Sequence, residues 1–236
     1  MSMSNSKSDN LKFIGIDFSL NSPAFCVLSG GESHIGSLHR TSENPDKVWK
    51  KKNSAFKELE SVGASIKVYQ KGDIDGEYHV KESMKMRAFI HLTDEFFSLI
   101  EPHIDDNTII GMEGLSFGSS GNSLIDISMA TSLLRLKILG KIPDNRFFVF
   151  SPSTIKKFAV KGNAKKDELY RALIDIVKKE GREDLRKFTE TLETNQDTWI
   201  KKSKTVETPC SDMIDATWIS LFLENNSEKL LNQPMV

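Results

Sequence analysis

Four acidic residues occupy positions where an acid needs a chemical reason. Asp17 follows the apolar run Ile14-Gly15-Ile16, and Glu113 ends a second run, Ile109-Ile110-Gly111-Met112. Each marks the point where a buried strand turns polar. Burying an unpaired carboxylate is costly, and a bound divalent cation removes much of that cost. Asp212 and Asp215 are three residues apart, a spacing that sets both on one face of a helix. If that helix packs beside Asp17 and Glu113, the four acids converge. Such a pocket suits two Mg²⁺ ions roughly 3.5–4 Å apart, the arrangement of in-line phosphodiester hydrolysis. One ion activates the attacking water and the other stabilises the leaving 3′ oxygen, so no side-chain base is required. The five histidines form no evident cluster. Oxygen ligands suit Mn²⁺ as a substitute. Each acid alone also fits a plainer role: Asp17 or Glu113 as a loop start, Asp212 as a helix cap or first-turn acid. The four in this order are far more specific than any one of them.

The elements that must position these acids can be read from hydrophobic pattern. Residues 12–19 form a short apolar run that reads as a buried central strand, 24–29 as a second and 33–38 as a weaker third, joined as a meander. A helix with a broad apolar face covers 81–101, through Met84, Met86, Phe89, Ile90, Leu92, Phe96, Phe97 and Ile100. A strand follows at 108–113, then a Gly/Ser loop, a helix at 123–139 and a strand at 147–151. Residues 152–160 read as a short helix, 164–180 as a charged helix and 210–224 as an amphipathic helix. Two stretches resist placement. Residues 40–80 combine a basic amphipathic segment, a possible strand (Ser65–Gln70) and a hairpin or loop, and 181–209 is polar and irregular. Both are treated as insertions in one domain over 11–225, between a disordered lead-in (1–10) and a tail (226–236). A meander feeding βαβ crossovers predicts a mixed α/β fold of the RNase H-like kind, a five-stranded sheet flanked by helices.

Composition bounds the function. The 236 residues are 38% hydrophobic and 28% charged, enough for an ordinary globular core. The net charge of −1 does not by itself announce a nucleic-acid partner. Cys26 and Cys210 have no CxxC partner, which argues against zinc and for free thiols in a reducing compartment. With no membrane span and no secretory leader in the pattern, a soluble intracellular protein is expected. The charge is unevenly spread. Residues 151–206 hold 14 Lys/Arg against 9 Asp/Glu, and 40–57 hold six against two. Lys50, Lys51 and Lys52 adjoin Trp49, a combination of charge and stacking group suited to nucleic acid. Phe117 lies in the Gly/Ser loop just after Glu113, placed either to stack on a base or to pack on the core. The lysines of 156–166 and of 47–57 fit phosphate contacts or solvated helix faces.

The chain resembles the RuvC family of Holliday junction resolvases. Ile14-Gly15-Ile16-Asp17 is similar to the family's first strand, although Asp17-Phe18-Ser19 stands where the family has Asp-Pro-Gly. The segment from Ile109 to Phe117 resembles the strand bearing the second acid and the aromatic after it. Asp212-Met213-Ile214-Asp215-Ala216 matches the closing Asp-x-x-Asp-Ala. The stretch 151–169 resembles the family's Pro-x-x-Val-Lys segment with its downstream Gly-x-Ala-x-Lys. By that resemblance Lys156 and one of Lys165 or Lys166 face DNA phosphates; Lys157 and Lys161 are DNA-binding candidates from the same basic cluster. The resemblance implies a Mg²⁺-dependent homodimer that cuts four-way DNA junctions, with no nucleotide cofactor. Other substrates for the same acids are an RNA–DNA hybrid, a flap or packaging DNA. A non-catalytic DNA-binding module and an actin-like ATPase fragment are the readings outside the nuclease class. The latter lacks a second Gly-rich phosphate loop.

Overall fold

The computed structural model describes residues 11–41, 44, 46–47, 56–70, 72, 74–115, 121–200 and 205–233. Lys50, Lys51, Lys52, Trp49, Phe117 and residues 1–10 lie outside them. The strands are β1 (Lys12–Asp17), β2 (Ala24–Ser29), β3 (Glu32–Thr41), β4 (Ser65–Gln70), β5 (Thr108–Glu113) and β6 (Phe147–Phe150). They form one mixed sheet in the order β4-β3-β2-β1-β5-β6. The pairs β1–β2 and β2–β3 are antiparallel; β1–β5, β5–β6 and β3–β4 are parallel. This is the mixed α/β layout expected, with six strands instead of five. The added strand is β4, which extends the sheet from the region read as an insertion.

Helices cover both faces. On one side lie α1 (Tyr78–Ile100) and α2 (Asn122–Leu139); on the other lie α3 (Pro152–Ala159), α4 (Lys166–Glu180), α5 (Glu183–Thr194), the single turn α6 (Gln196–Trp199) and α7 (Cys210–Leu231). A two-sided sheet explains why β2, Ala24–Ser29, is an unbroken apolar run: both of its faces are buried. Strand alternation divides β1 between two cores. Ile14 and Ile16 join the α1/α2 core, whereas Phe13 joins the α7 core. Gly15 and Asp17 therefore share Phe13's side. In β5, Ile110 and Met112 face α1/α2, so Gly111 and Glu113 share the α7 side with Ile109.

Three sequence expectations change. Residues 181–209 are not irregular throughout: α5 buries Leu185, Phe188, Thr189 and Leu192. Their i, i+3, i+4, i+7 spacing is a helical signal outweighed in the sequence by the surrounding charge. No separate tail starts at 226, because α7 continues through Leu231 and buries Ser227 and Leu230. Nor is α7 amphipathic in the simple sense. It is buried nearly all round, between the sheet and the helices α3 and α4, and its small polar residues turn inward. Ser220 Oγ accepts from Gly15 N–H at 2.7 Å and donates to the Cys26 carbonyl at 2.7 Å. Among the described residues no helix is long and apolar enough to cross a membrane. Both cysteines are buried and neither forms a disulfide.

Candidate metal centre

Asp17 ends β1 and Glu113 ends β5. The parallel register Ile16↔Met112 leaves the two acids level at the C-terminal ends of neighbouring interior strands. Their strand parity aims both toward α7, whose first turns carry Asp212 and Asp215. What lets α7 come close is the pair of glycines in register, Gly15↔Gly111. A Cβ on Gly15 would stand 2.2 Å from the Ala216 carbonyl oxygen and 2.5 Å from Ser220 N, both backbone atoms of α7. A Cβ on Gly111 would meet Ile219 and Leu223 at 3.0 Å. Glycine is thus required here by helix–sheet contact and not by backbone angle. Gly15→Ala should cost about 1–3 kcal/mol of stability from overpacking. It should also separate Asp17 from Asp212 and Asp215. Chemical denaturation checks the first effect and metal affinity the second.

Carboxylate oxygens of Asp17, Asp212 and Asp215 all lie within 4.8 Å of one another. Hard-cation bonds to oxygen of roughly 2.1–2.5 Å bridge such a gap. Glu113 stands just outside this trio, but it acts on the same electrostatic field. Burial, then Asp215, Asp212 and Glu113, push the Asp17 carboxyl well above the usual range. Burial raises Asp215 to about 7, with Glu113 and Asp212 adding to the shift and Lys166 opposing it. Glu113 is also raised, by burial, against the pull of Lys156 and Lys166. Asp212, only 7% exposed at its side chain, is held on one side only. Its Oδ1 meets Lys166 Nζ at 3.3 Å and accepts from Ser211 Oγ at 3.0 Å. Its Oδ2 is buried with no hydrogen-bond partner. An orphaned buried carboxylate oxygen beside two more carboxylates is a donor set that fits a divalent cation.

Lys166 is the first residue of α4, where the Glu168 side chain caps the Lys165 N–H at 2.8 Å. That cap fixes which of the two lysines turns inward. Lys166, itself 44% exposed at its side chain, reaches Asp212 and also contacts Ser211 Oγ at 2.9 Å, whereas Lys165 is exposed and makes neither contact. Burial opposes the Lys166 charge, but Asp212 and Asp215 outweigh it and raise its pKa. On α3, which starts from a Ser151 cap and Pro152, Lys156 sits within electrostatic reach of Glu113 and Asp215, and Lys157 is exposed. Lys161 pairs with Glu168 at 2.5 Å. Much of the remaining basic charge of 151–206 is also matched by carboxylates, at Arg171, Lys178, Arg182 and Arg186. The exposed basic wall is therefore narrower than the residue count implies. Ser211, which ties Lys166 to Asp212, was not singled out in the sequence. Its only signal there was adjacency to Asp212.

The raised carboxyls imply a pH-dependent cost. A folded Asp215 with pKa about 7 keeps a proton that the unfolded chain releases near pH 4. The unfolded state thus binds fewer protons across that window, and stability of the metal-free protein falls as pH rises from about 4 to 7. The full cost at pH 8 is on the order of 4 kcal/mol. Asp215→Asn should therefore melt higher than wild type at pH 8 without metal and near wild type at pH 4–5. Equal melting at pH 8 would contradict the stated environment.

No family model matches the chain, and no curated protein matches its sequence. Solved structures do match. RuvC of Thermus thermophilus is 10% identical at a TM-score of 0.49, over 92% of this chain and 97% of that one. The same enzyme in complex with Holliday junction substrate gives 10% and 0.42 over the same shares. The yeast mitochondrial Holliday junction resolvase Ydc2 is 18% identical at 0.46, over 92% of this chain and 79% of that one. The similarity is one of fold.

Proposed function

We propose that this chain is a divalent-cation-dependent endonuclease of branched DNA, cutting four-way junctions as a homodimer. The observation that carries the reading is the convergence of Asp17, Asp212 and Asp215, one of which has a buried carboxylate oxygen, Asp212 Oδ2, with no partner. Asp17, Asp212 and Asp215, with Glu113 beside them, would hold the ions. Two bound Mg²⁺ or Mn²⁺ ions would supply an ionised water and charge compensation at the leaving oxygen. The protein's own groups set the stage. Lys166 and Ser211 pin Oδ1 of Asp212, which leaves Oδ2 without a protein partner. Lys156 places a cation beside Glu113. Lys157 and Lys165, exposed next to those inward lysines, are free to hold backbone phosphates. Branched DNA as substrate rests on the ordered motifs from Asp17 to Asp215. Two opposed incisions require two sites related by a two-fold axis, which a homodimer supplies.

The test is incubation with a synthetic four-way junction in Mg²⁺, Mn²⁺ or EDTA, beside a linear duplex of the same sequence. Paired symmetric nicks in the junction alone, only with a divalent cation, are expected. An intact junction, or equal cutting of the duplex, refutes the proposal.

A further inference from the structure

A cleft of about 310 Å³ opens beside Asp17 and Glu113. A second, of about 490 Å³, shares Gly114, Leu115 and Leu124 with it and runs on between α2 and β6. That size lies within the roughly 300–1,000 Å³ of small-ligand sites. Its walls are mostly apolar, with Val149 on β6 across from Leu124 and Arg135 on α2, while Phe150 lends only its backbone and turns its ring to Phe222 on the α7 side. Val149 is 45% exposed on the edge strand, so the apolar wall is open to solvent.

Arg135 is out of place in such a wall. Its Nε is buried and makes no hydrogen bond, and no carboxylate among the described residues pairs with it. Burial alone pulls its pKa below the ordinary arginine value. Arg171, Arg182 and Arg186, by contrast, each hold a carboxylate. An unpaired guanidinium against apolar surface costs stability, and its fork matches phosphate better than any other side chain does.

We infer that this second cleft is a nucleotide subsite. It takes one unstacked nucleotide of the substrate strand flanking the cleaved bond, with the base on Leu115, Leu124 and Val149 and the phosphate on Arg135. The inference rests on the nuclease reading above, because the acidic cleft is what places the subsite beside a cleaved phosphate. The apolar wall selects a base that has left its stack, which branched DNA offers at its crossover and regular duplex does not.

The experiment measures junction binding across a salt series for wild type, Arg135→Gln and Arg135→Lys, with Ca²⁺ replacing Mg²⁺ to slow cleavage. The junction carries 2-aminopurine beside the mapped nick. Arg135→Gln should weaken binding about ten-fold and lower the slope of log Kd against log salt by about 0.7–0.9, the loss of one phosphate contact. Arg135→Lys should restore most of the slope. The 2-aminopurine should brighten on binding wild type and not Arg135→Gln. Removal of an unpaired charge should leave Arg135→Gln melting no lower than wild type, which separates lost binding from lost folding. An unchanged slope, or a probe that stays quenched with wild type, overturns the subsite. If wild type still cuts the junction in that case, the nuclease reading survives; if wild type neither binds nor cuts, both fall.

Discussion

Asp17→Asn and Asp215→Asn are each expected to slow junction cleavage at least about 10³-fold, on the order of 4 kcal/mol of lost transition-state stabilisation. Both variants should fold. Asparagine keeps the shape and one oxygen of aspartate but removes the charge that attracts a cation. In the metal-free protein that charge is a liability. Asp17 is pushed up by burial and by three carboxylate neighbours, and Asp215 by burial and two. The sequence maintains this repulsion beside a glycine that brings the helix close, an arrangement that stability alone would not favour. Activity and stability should therefore move in opposite directions: cleavage is lost while metal-free melting at pH 8 rises. A variant that loses activity and stability together would point to a structural role for the acid instead. Rates against Mg²⁺ concentration, beside melting curves with and without Mg²⁺, separate these outcomes.

Phe56→Ala is expected to cost about 3–5 kcal/mol, the range for deleting a fully buried aromatic ring. Phe56 is 0% exposed and its ring lies parallel to that of Trp199, itself 1% exposed, at 6.0 Å between centroids. Glu58 and Asn195 form a hydrogen bond between the same two segments. The regions read from sequence as two separate insertions thus pack on each other and share the α7-side core. Were they appendages, Phe56→Ala would leave the unfolding midpoint of the domain almost unchanged. Urea denaturation reads the difference directly.

What was legible in the sequence was local. The strands of the meander, the acids at the ends of β1 and β5, and the Asp212/Asp215 pair each announce themselves within a few residues, through alternation, a polar stop or helical spacing. What was not legible depends on partners far along the chain. β4 is a strand because Ser65–Gln70 finds the parallel edge of β3, and no local pattern encodes that register. Phe56 is core because Trp199 covers it. α7 read as amphipathic because Ser211, Thr217 and Ser220 are polar letters. Yet Ser220 is satisfied by Gly15 and Cys26, and Thr217 by the Met213 carbonyl, so those letters sit inside. The choice between Lys165 and Lys166 turned on a one-residue helix cap. The lysine that reaches Asp212 was legible as a type but not as a position. Arg135 gave no signal at all, since an arginine on a helix is ordinary until its surroundings are known to lack an acid.

Crystals of the protein grown or soaked in Mn²⁺ would locate the ion by its anomalous diffraction. Anomalous peaks bound by Asp17, Asp212 and Asp215, with Glu113 alongside, are expected, and their loss in Asp17→Asn. At saturating Mn²⁺, the absence of a peak among these carboxylates, or a peak that persists in Asp17→Asn, would contradict the metal centre.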